Sequence, residues 1–249
     1  MAFLERYLTR FTWLATLVLA WAGFYPTAHA EPEPKPPVVF RTIALGSPVA
    51  DLFYELKGES VPVTAGSSGL SSAYVVPPGG RVLFYRLLPA EKPGDKPRRT
   101  PVSEVSIGEG GPYLVLMAVN EETAAINTLL VEDSWATHPV KTMRVFNFSR
   151  RHALVKLGES LIELPTGQSH IFSYAEGGKE RIQVKFQVAT KENEAWVLRV
   201  GGPQVTLPKT RSTIVLIDQP PSPDRANPVA VLVRNFIEFE PAPPPAPAP

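Results

Sequence analysis

The sequence contains no cysteine and has almost no net charge: 25 lysines and arginines stand against 24 aspartates and glutamates, for a formal charge of +1. Without cysteine, a disulfide-stapled scaffold and a thiolate metal site are both excluded. Without a basic excess, nothing supports nucleic-acid binding driven by bulk positive charge. We therefore expect no nucleic-acid partner.

Proline, in contrast to cysteine, is abundant, with 28 residues spread along the 249-residue chain. Proline lacks an N–H group and its ring clashes with the preceding helical turn, so we expect a fold that is not dominated by long helices. The hydrophobic content, 44%, is ordinary for a globular chain. These values favour a folded protein that is poor in helix.

The first thirty residues have the pattern of a secretory signal peptide. Arg6 and Arg10 precede an apolar run over 11–24, and Ala28 and Ala30 supply the small residues of a cleavage site before Glu31. The 14-residue run reaches about 21 Å as a helix, short of the roughly 30 Å hydrocarbon core. We expect an exported protein, periplasmic or secreted, with no membrane span after cleavage. An uncleaved anchor and an ordinary N-terminal core helix are the alternatives.

The mature chain is bounded by two proline-rich segments, a spacer at its start and a tail at its end. Between them, β-branched and aromatic runs bounded by Gly, Pro, Asn and Asp predict strands throughout. Removing the leader takes two basic side chains and one acidic one, so 23 of each sign remain and the mature chain is formally neutral. We divide the chain into a signal peptide (1–30), a spacer (31–37), two folded units (38–139 and 140–240) and a disordered tail (241–249).

Recurring patterns about one hundred residues apart indicate that the two units are copies of each other. Gly58-Glu59-Ser60 recurs as Gly158-Glu159-Ser160, and the opening strands at Arg41 and Arg144 lie 103 residues apart. Each unit has the length and strand number of an immunoglobulin-like sandwich. The expected fold is all-β, with two tandem immunoglobulin-like antiparallel β-sandwiches. One larger continuous sandwich is the alternative.

The same turn residues carry a family resemblance, which is clearest in the second unit. Its pattern consists of Arg144, Asn147, Ser149, Gly158, Pro165 and Gly167, whereas the first unit has Ala44 where Asn would stand. This pattern resembles exported bacterial β-sandwich repeat proteins of unknown function and is loosely similar to the periplasmic accessory protein of alginate O-acetylation. The resemblance implies a non-catalytic adaptor or binding role and transfers no functional residue.

No catalytic or metal-binding motif is present in the sequence. The mature histidines His138, His152 and His170 lie 14 and 18 residues apart, without metal-ligand spacing, so we expect solvent-facing or loop positions for them. No G-x-S-x-G elbow or phosphate-binding loop occurs. The acidic pairs Glu121-Glu122 and Glu132-Asp133 are expected to be a solvated turn and a strand end. We expect no cofactor, no metal and no enzymatic activity.

Four residues are the candidates for binding. Arg98 and Arg99 belong to a basic, proline-rich loop at 90–101, of the kind that recognises partners at the end of a sandwich. Trp135 lies at the unit boundary, and Trp196 lies in a strand where alternation places it on one face with Leu198. We expect this face to be the core, although an exposed tryptophan could stack on a sugar.

The leading hypothesis is an envelope adaptor or macromolecule-binding module that uses sheet edges and end loops. Its partner would be another envelope protein or a polysaccharide. A carbohydrate-binding module and a hydrolase with a spatially assembled site are the alternatives.

Overall fold

The fold was analysed in a computed structural model that describes residues 37–92, 94–120, 123, 125–174, 181–218 and 231–241, without the side chain at position 232. The regular structure of these residues is β-strand throughout, in sixteen strands. The expected signal segment with Ala28, Ala30 and Glu31, the pair Glu121-Glu122 and all but the first residue of the tail lie outside the described residues.

Eight strands belong to each half of the described chain. Those of the first half are β1 (Val38–Leu45), β2 (Val49–Leu56), β3 (Glu59–Ala65), β4 (Tyr74–Val76), β5 (Arg81–Leu88), β6 (Arg98–Ser106), β7 (Tyr113–Val119) and β8 (Ile126–Glu132). Those of the second half are β9 (Thr142–Asn147), β10 (Ala153–Leu157), β11 (Ser160–Leu164), β12 (Ser169–Ser173), β13 (Ile182–Glu192), β14 (Ala195–Thr206), β15 (Thr210–Asp218) and β16 (Val231–Phe239).

The strands form four four-stranded sheets, and the second half repeats the strand order of the first. The first half has the orders β4-β1-β7-β8 and β3-β2-β5-β6, and the second has β12-β9-β15-β16 and β11-β10-β13-β14. Adding eight to each strand number of the first half therefore gives the second half. The predicted fold class, all-β with tandem sandwiches, is confirmed.

One pairing in each half is parallel, a detail that the sequence-based expectation of antiparallel sandwiches did not include. β1 runs parallel to β7 with Thr42 opposite Val115, and β9 runs parallel to β15 with Arg144 opposite Thr213. The other pairings of the described strands are antiparallel. The first strand of each half thus joins the seventh directly.

The repeated Gly-Glu-Ser motif forms a two-residue hairpin turn in both halves, as the sequence indicates. In the first half Leu56 pairs with Glu59, and both Lys57 and Gly58 have a positive φ, 51° and 83°. In the second half the pairing is Leu157 with Ser160, so the turn begins at Gly158 itself. Glycine adopts this left-handed backbone without the steric cost that a Cβ brings.

Each half has its own apolar core, and a third core joins the halves. The first core surrounds Phe40 and Phe84, and the second surrounds Phe172 and Val188. The third core contains residues of both halves: Ile43, Leu114, Leu116, Phe146, Val215, Ile217 and Phe236. The sheet containing β1 and β7 therefore packs face to face on the sheet containing β9 and β15.

Strands that are buried on both faces account for the long unbroken apolar runs of the sequence. In β7, Val115 and Met117 point into the first core, whereas Leu114 and Leu116 point into the core between the halves. A strand covered on one face only would alternate apolar and polar residues. The unbroken apolar run of β7 and the shorter run over 214–217 in β15 thus reflect the packing between the halves.

Candidate functional site

Six titratable side chains gather at the segment that connects the two halves. We call them the junction cluster: Arg41, Asp133, His138, Arg144, Arg211 and Glu238. Five of them are buried, and Arg41 is 24% exposed. Arg41, Arg144 and Arg211 extend from strands of the facing sheets, where the alternation along each strand points them toward the other half.

Asp133 is the centre of the junction cluster. Its Oδ2 accepts from Nη2 of Arg211 at 2.8 Å and from Nη2 of Arg41 at 3.0 Å, and its Oδ1 lies 3.4 Å from Nη1 of Arg144. Arg41 and Arg144 occupy equivalent positions of the two repeats. One carboxylate in the connecting segment therefore binds two equivalent arginines, one from each half.

Arg211 holds the connecting segment in a bend around its guanidinium. Its Nη1 donates to the carbonyl oxygens of Asp133 at 3.1 Å and of His138 at 2.9 Å, and its Nε donates to Oε2 of Glu238 at 3.2 Å. The ring of Trp135 covers the guanidinium, with 3.9 Å from Cζ to the ring centroid. This planar fork satisfies several buried acceptors at once, which a lysine could not do.

The electrostatics of the junction cluster keep Asp133 ionised and His138 neutral. Burial by itself raises the pKa of Asp133, but the His138 hydrogen bond and the charges of Arg211 and Arg41 outweigh it, so this pKa lies below the usual value of 3.8. Burial lowers the pKa of His138 from 6.5, and the charges of Arg211 and Arg144 add to this effect. Burial also lowers the pKa of Arg144.

We expect the stability of the protein to fall as the pH falls below 6.5, partly because of His138. The unfolded chain protonates this imidazole near pH 6.5, whereas the folded protein resists protonation to a lower pH, so acidification favours the unfolded state. In His138→Asn this component is absent. Urea unfolding at a series of pH values from 7.5 to 5 should give a shallower pH dependence for the variant than for the wild type.

His152→Asn is the matched control for this measurement, because the His152 side chain is 52% exposed and lies away from the junction cluster. The change that His138→Asn makes in the pH dependence should exceed the change made by this control. Equal slopes for the His138→Asn variant and the wild type would contradict the assignment of a neutral, buried imidazole at position 138.

Burial in the junction cluster corrects part of two sequence-based expectations. His138 lies in the connecting loop, one of the two positions expected for it, but it is fully buried, at 0% exposure, and not solvent-facing. Asp133 directly follows the end of β8, as expected, but it is 1% exposed and not solvated, because the arginines of both halves require a buried counter-charge. Since Asp133 and His138 are excluded from solvent, their 3.2 Å contact is structural and offers no route for a substrate.

A polar cleft adjoins the junction cluster and opens to solvent. This junction cleft has a volume of about 350 Å³. Its lining residues are Arg41, Ser68, Gly69, Leu70, Ser71, Asn235, Phe236, Ile237 and Glu238. Arg41 and Glu238 form an ion pair there. The cleft thus lies between a Gly-Ser loop of the first half and strand β16 of the second, next to a charge-balanced pair.

The prediction that Trp196 and Leu198 share a face is correct, but the prediction that this face is the core is wrong. Trp196 is 39% exposed and Leu198 is 59% exposed. Val200 packs on the second core, and strict alternation would place Leu198 on the same side. However, the register shift between Val188 and Ala189 leaves Arg199 as an extra, unpaired residue of β14. Leu198 therefore points away from the core, and Val197 points toward it. Both exposed side chains therefore lie on the outer face of the sheet.

This outer surface, which we call the Trp196 face, is apolar along one row and polar around it. Leu198 pairs with Ala189, Ala189 pairs with Leu154, and Trp196 pairs with Lys191. The pair His152 and Glu163, with 2.9 Å between Nδ1 and Oε1, borders the same face. A sheet face that carries an exposed tryptophan beside hydrogen-bonding groups can contact a polypeptide or a saccharide.

The other predicted binding residues lie apart from the Trp196 face. Trp135 is partly buried against Arg211. Arg98 and Arg99 begin strand β6 and do not lie in the expected loop, because this part of the chain pairs with β5. Arg98 pairs with Glu91 at 3.5 Å, and Arg99 forms an ion pair with Glu55. The structure therefore does not combine the four candidates into one site.

Arg99 contributes to a small cleft on the outer sheet of the first half. Its guanidinium lies 4.9 Å from the ring centroid of Tyr85. The cleft, of about 140 Å³, is lined by Glu55, Arg81, Leu83, Tyr85, Arg99 and Pro101. Arg99 thus covers the Tyr85 ring, and Glu55 neutralises its charge.

The remaining histidine does not complete a metal site. His170 packs against the ring of Phe172, with 4.7 Å between the ring centroids. Within the described ranges, no group of three or more His, Asp or Glu residues is arranged to hold a metal ion.

Sequence reasoning missed Asp133, Arg144, Arg211 and Glu238 as a group. One signal was present: Arg144 interrupts the apolar residues of β9 and Arg211 lies shortly before the apolar run of β15, and an arginine buried in such a strand requires a carboxylate partner. The partner itself could not be identified, because Asp133 lies 78 residues before Arg211.

The chain matches no protein-family model and no curated protein. Across the part of the chain that the structure describes, no helix has the length and apolarity needed to cross a membrane.

Proposed function

We propose that the protein is an exported, non-catalytic envelope adaptor that binds another macromolecule. The observation that carries this proposal is the Trp196 face, where Trp196 and Leu198 are exposed side by side on a regular sheet. Exposed aromatic residues supply much of the binding energy at protein interfaces. The leader-like segment before Glu31 supports the exported location.

The joined halves support the role of a rigid adaptor. A third apolar core and the junction cluster hold the two sandwiches against each other, so a partner bound on one half has a fixed position relative to the other half. Two independently moving sandwiches would not fix this geometry. An adaptor benefits because less conformational freedom is lost on binding.

Site-specific photo-crosslinking in the exporting cell tests this proposal. A photoreactive amino acid at position 198 should give a discrete adduct, whereas the same group at the exposed position 83, on the first half, should not give that adduct. Adducts of equal yield and size at both positions, or none at position 198, would overturn the Trp196 face as the binding surface.

A carbohydrate-binding module is the second candidate, favoured by the polar groups around Trp196. Lys191 is its cross-strand neighbour, and the backbone N–H of Lys191 donates to the carbonyl oxygen of His152 in the same row. Soluble polysaccharides should then change the emission of Trp196 in Trp135→Phe, which leaves one tryptophan in the mature chain. Trp196→Phe is the control, because only Trp135 emits there.

Trp196→Ala is expected to weaken binding of the partner by a factor of about 10 or more, because truncating an aromatic anchor commonly costs about 2 kcal/mol. Its effect on folding should stay near 0.5 kcal/mol, since the side chain is partly exposed. Titration of the crosslinked partner, or of the saccharide that changes the emission, measures the affinity. A change of less than twofold contradicts the anchor role, and Leu83→Ala serves as the control substitution.

The described residues give the hydrolase alternative no support. The His138–Asp133 pair is excluded from solvent, and the His152–Glu163 pair lies on an exposed sheet face where no serine hydroxyl contacts it in the described structure.

A further inference from the structure

The edge strands of the four sheets differ in how well they are protected against pairing with another chain. β4 has three residues, and β11 and β12 have five each. β3, β6 and β14 contain Pro62, Pro101 and Pro203 and pair with register shifts in their ladders. Short strands, prolines and bulges all disfavour strand addition.

β8 is protected in a different way, by its neighbour across the first sandwich. The Oγ1 of Thr128 on β8 lies 2.7 Å from the Oγ of Ser103 on β6. No corresponding side-chain hydrogen bond joins the equivalent strands β14 and β16 in the described residues. The side of the second sandwich formed by these two strands is therefore the more open one.

β16 combines length, regularity and exposure. All nine residues of Val231–Phe239 pair with β15 without a register shift, and the strand contains no proline. Ile237 is 45% exposed and Phe239 is 65% exposed. An edge strand of this kind presents alternate N–H and C=O groups as a template for an added strand.

The junction cleft runs beside the same strand. Residues 235–238 of β16 form one wall and the Gly-Ser loop at 68–71 forms the other. An extended peptide placed along β16 would therefore have apolar side chains on one face, over Ile237 and Phe239, and other side chains on the opposite face, in the cleft. The alternation of side chains along a strand makes these two requirements compatible.

We propose that β16 and the junction cleft bind an extended segment of another protein, in which apolar residues alternate with small neutral polar residues. This inference rests on the proposed binding function and names a second surface for it. The apolar residues cover Ile237 and Phe239. The polar ones are serine, threonine or asparagine, because the cleft is lined by serines and by the balanced Arg41–Glu238 pair, which leaves an added charge without a counter-charge.

The chain's own ends do not have the composition for this role. The tail at 241–249 contains six prolines in nine residues, and the spacer at 31–37 contains four in seven. Proline has no N–H to donate to a ladder. The added strand therefore comes from another chain.

A second copy of β16 fits poorly. Arg234 and Glu238 lie on the same face of the strand, so an added copy of β16 presents both to the same side. Depending on the register, that side is either the cleft or the surface of Ile237 and Phe239. Either arrangement sets charged side chains where the surface requires neutral or apolar ones.

Fluorescence polarisation with a labelled peptide tests the inference on the mature chain. The probe is the seven-residue peptide Thr-Val-Ser-Val-Thr-Val-Ser with blocked ends. Ile237→Lys combined with Phe239→Lys should weaken the binding of this peptide at least tenfold. Leu83→Lys, at an exposed leucine of the first half, should change the affinity by less than twofold. The same peptide with alternate backbone nitrogens methylated should lose binding, because it cannot pair as a strand.

Each other outcome would overturn the inference. Binding that is absent at millimolar peptide, or unchanged in the double lysine variant, excludes β16 as the site. Stronger binding of a peptide with aspartate at the Ser and Thr positions excludes the neutral-cleft argument. Concentration-dependent dimers in sedimentation that the double variant abolishes identify a second copy as the occupant. Crosslinking at position 198 is independent of β16, so the proposed function can survive each of these failures.

Discussion

Asp133→Ala is expected to lower the free energy of unfolding by about 3–5 kcal/mol, the range for breaking a buried ion pair by removing one partner. The substitution leaves Arg41, Arg144 and Arg211 without the carboxylate that they share. Three positive charges then remain close together, largely out of water, with Glu238 as the one carboxylate left in the junction cluster. Equilibrium urea unfolding, followed by circular dichroism, measures the loss.

Glu104→Ala is the matched control for Asp133→Ala. Glu104 pairs with Arg81 at 3.3 Å, but both side chains are exposed. Removal of a surface ion pair costs about 1 kcal/mol or less. If Asp133→Ala and Glu104→Ala lowered stability equally, the buried carboxylate would not be what holds the junction cluster together.

Arg211→Met is expected to cost about 3 kcal/mol or more and to separate the unfolding of the two halves. Methionine retains much of the side-chain volume but removes the hydrogen bonds that Arg211 itself donates to Asp133, Glu238 and the carbonyl oxygens of the connecting segment. Each half keeps its own apolar core, so the loss falls on the contact between the halves.

Two spectroscopic probes show whether the halves unfold together or separately. In the wild type, tryptophan fluorescence and far-ultraviolet circular dichroism should follow one transition in urea, as expected for a cooperative unit. In Arg211→Met the two probes should diverge, because the two tryptophans that follow the expected leader, Trp135 and Trp196, lie at the junction and in the second half. A single transition displaced to lower urea would mean that the third apolar core alone couples the halves.

The architecture could be predicted from the sequence because strand and turn signals are local. The Gly-Glu-Ser turns and the runs in β7 and β15 depend on residues that are neighbours along the chain. Their repetition at one spacing then indicated two similar units. The continuous apolarity of β7 was also present in the sequence, but its cause, the packing of one half on the other, became evident only in the structure.

The charged centre of the molecule could not be predicted in the same way. Asp133 belongs to an irregular segment, and its partners lie 92, 11 and 78 residues away at Arg41, Arg144 and Arg211. No periodic pattern connects such positions. The charge of a single aspartate is also equally compatible with a solvated loop, which is the commoner place for it.

The position of the Trp196 face could be predicted from the sequence only in part. Alternation correctly grouped Trp196 with Leu198, but a period of two gives no information about which face of a sheet is covered. The extra residue at Arg199 reversed the relation between Val200, which packs on the second core, and Leu198. Bulges of this kind depend on the pairing of two strands and leave little trace in either strand alone.

The shared carboxylate also has a consequence for how this chain can change over evolutionary time. Duplicated domains usually diverge independently, since each copy keeps its own core. Here Arg41 and Arg144, one from each copy, have the same counter-ion, so a substitution at position 133 acts on both copies at once. Related chains should therefore retain or lose these three charges together, even where the outer sheets have diverged.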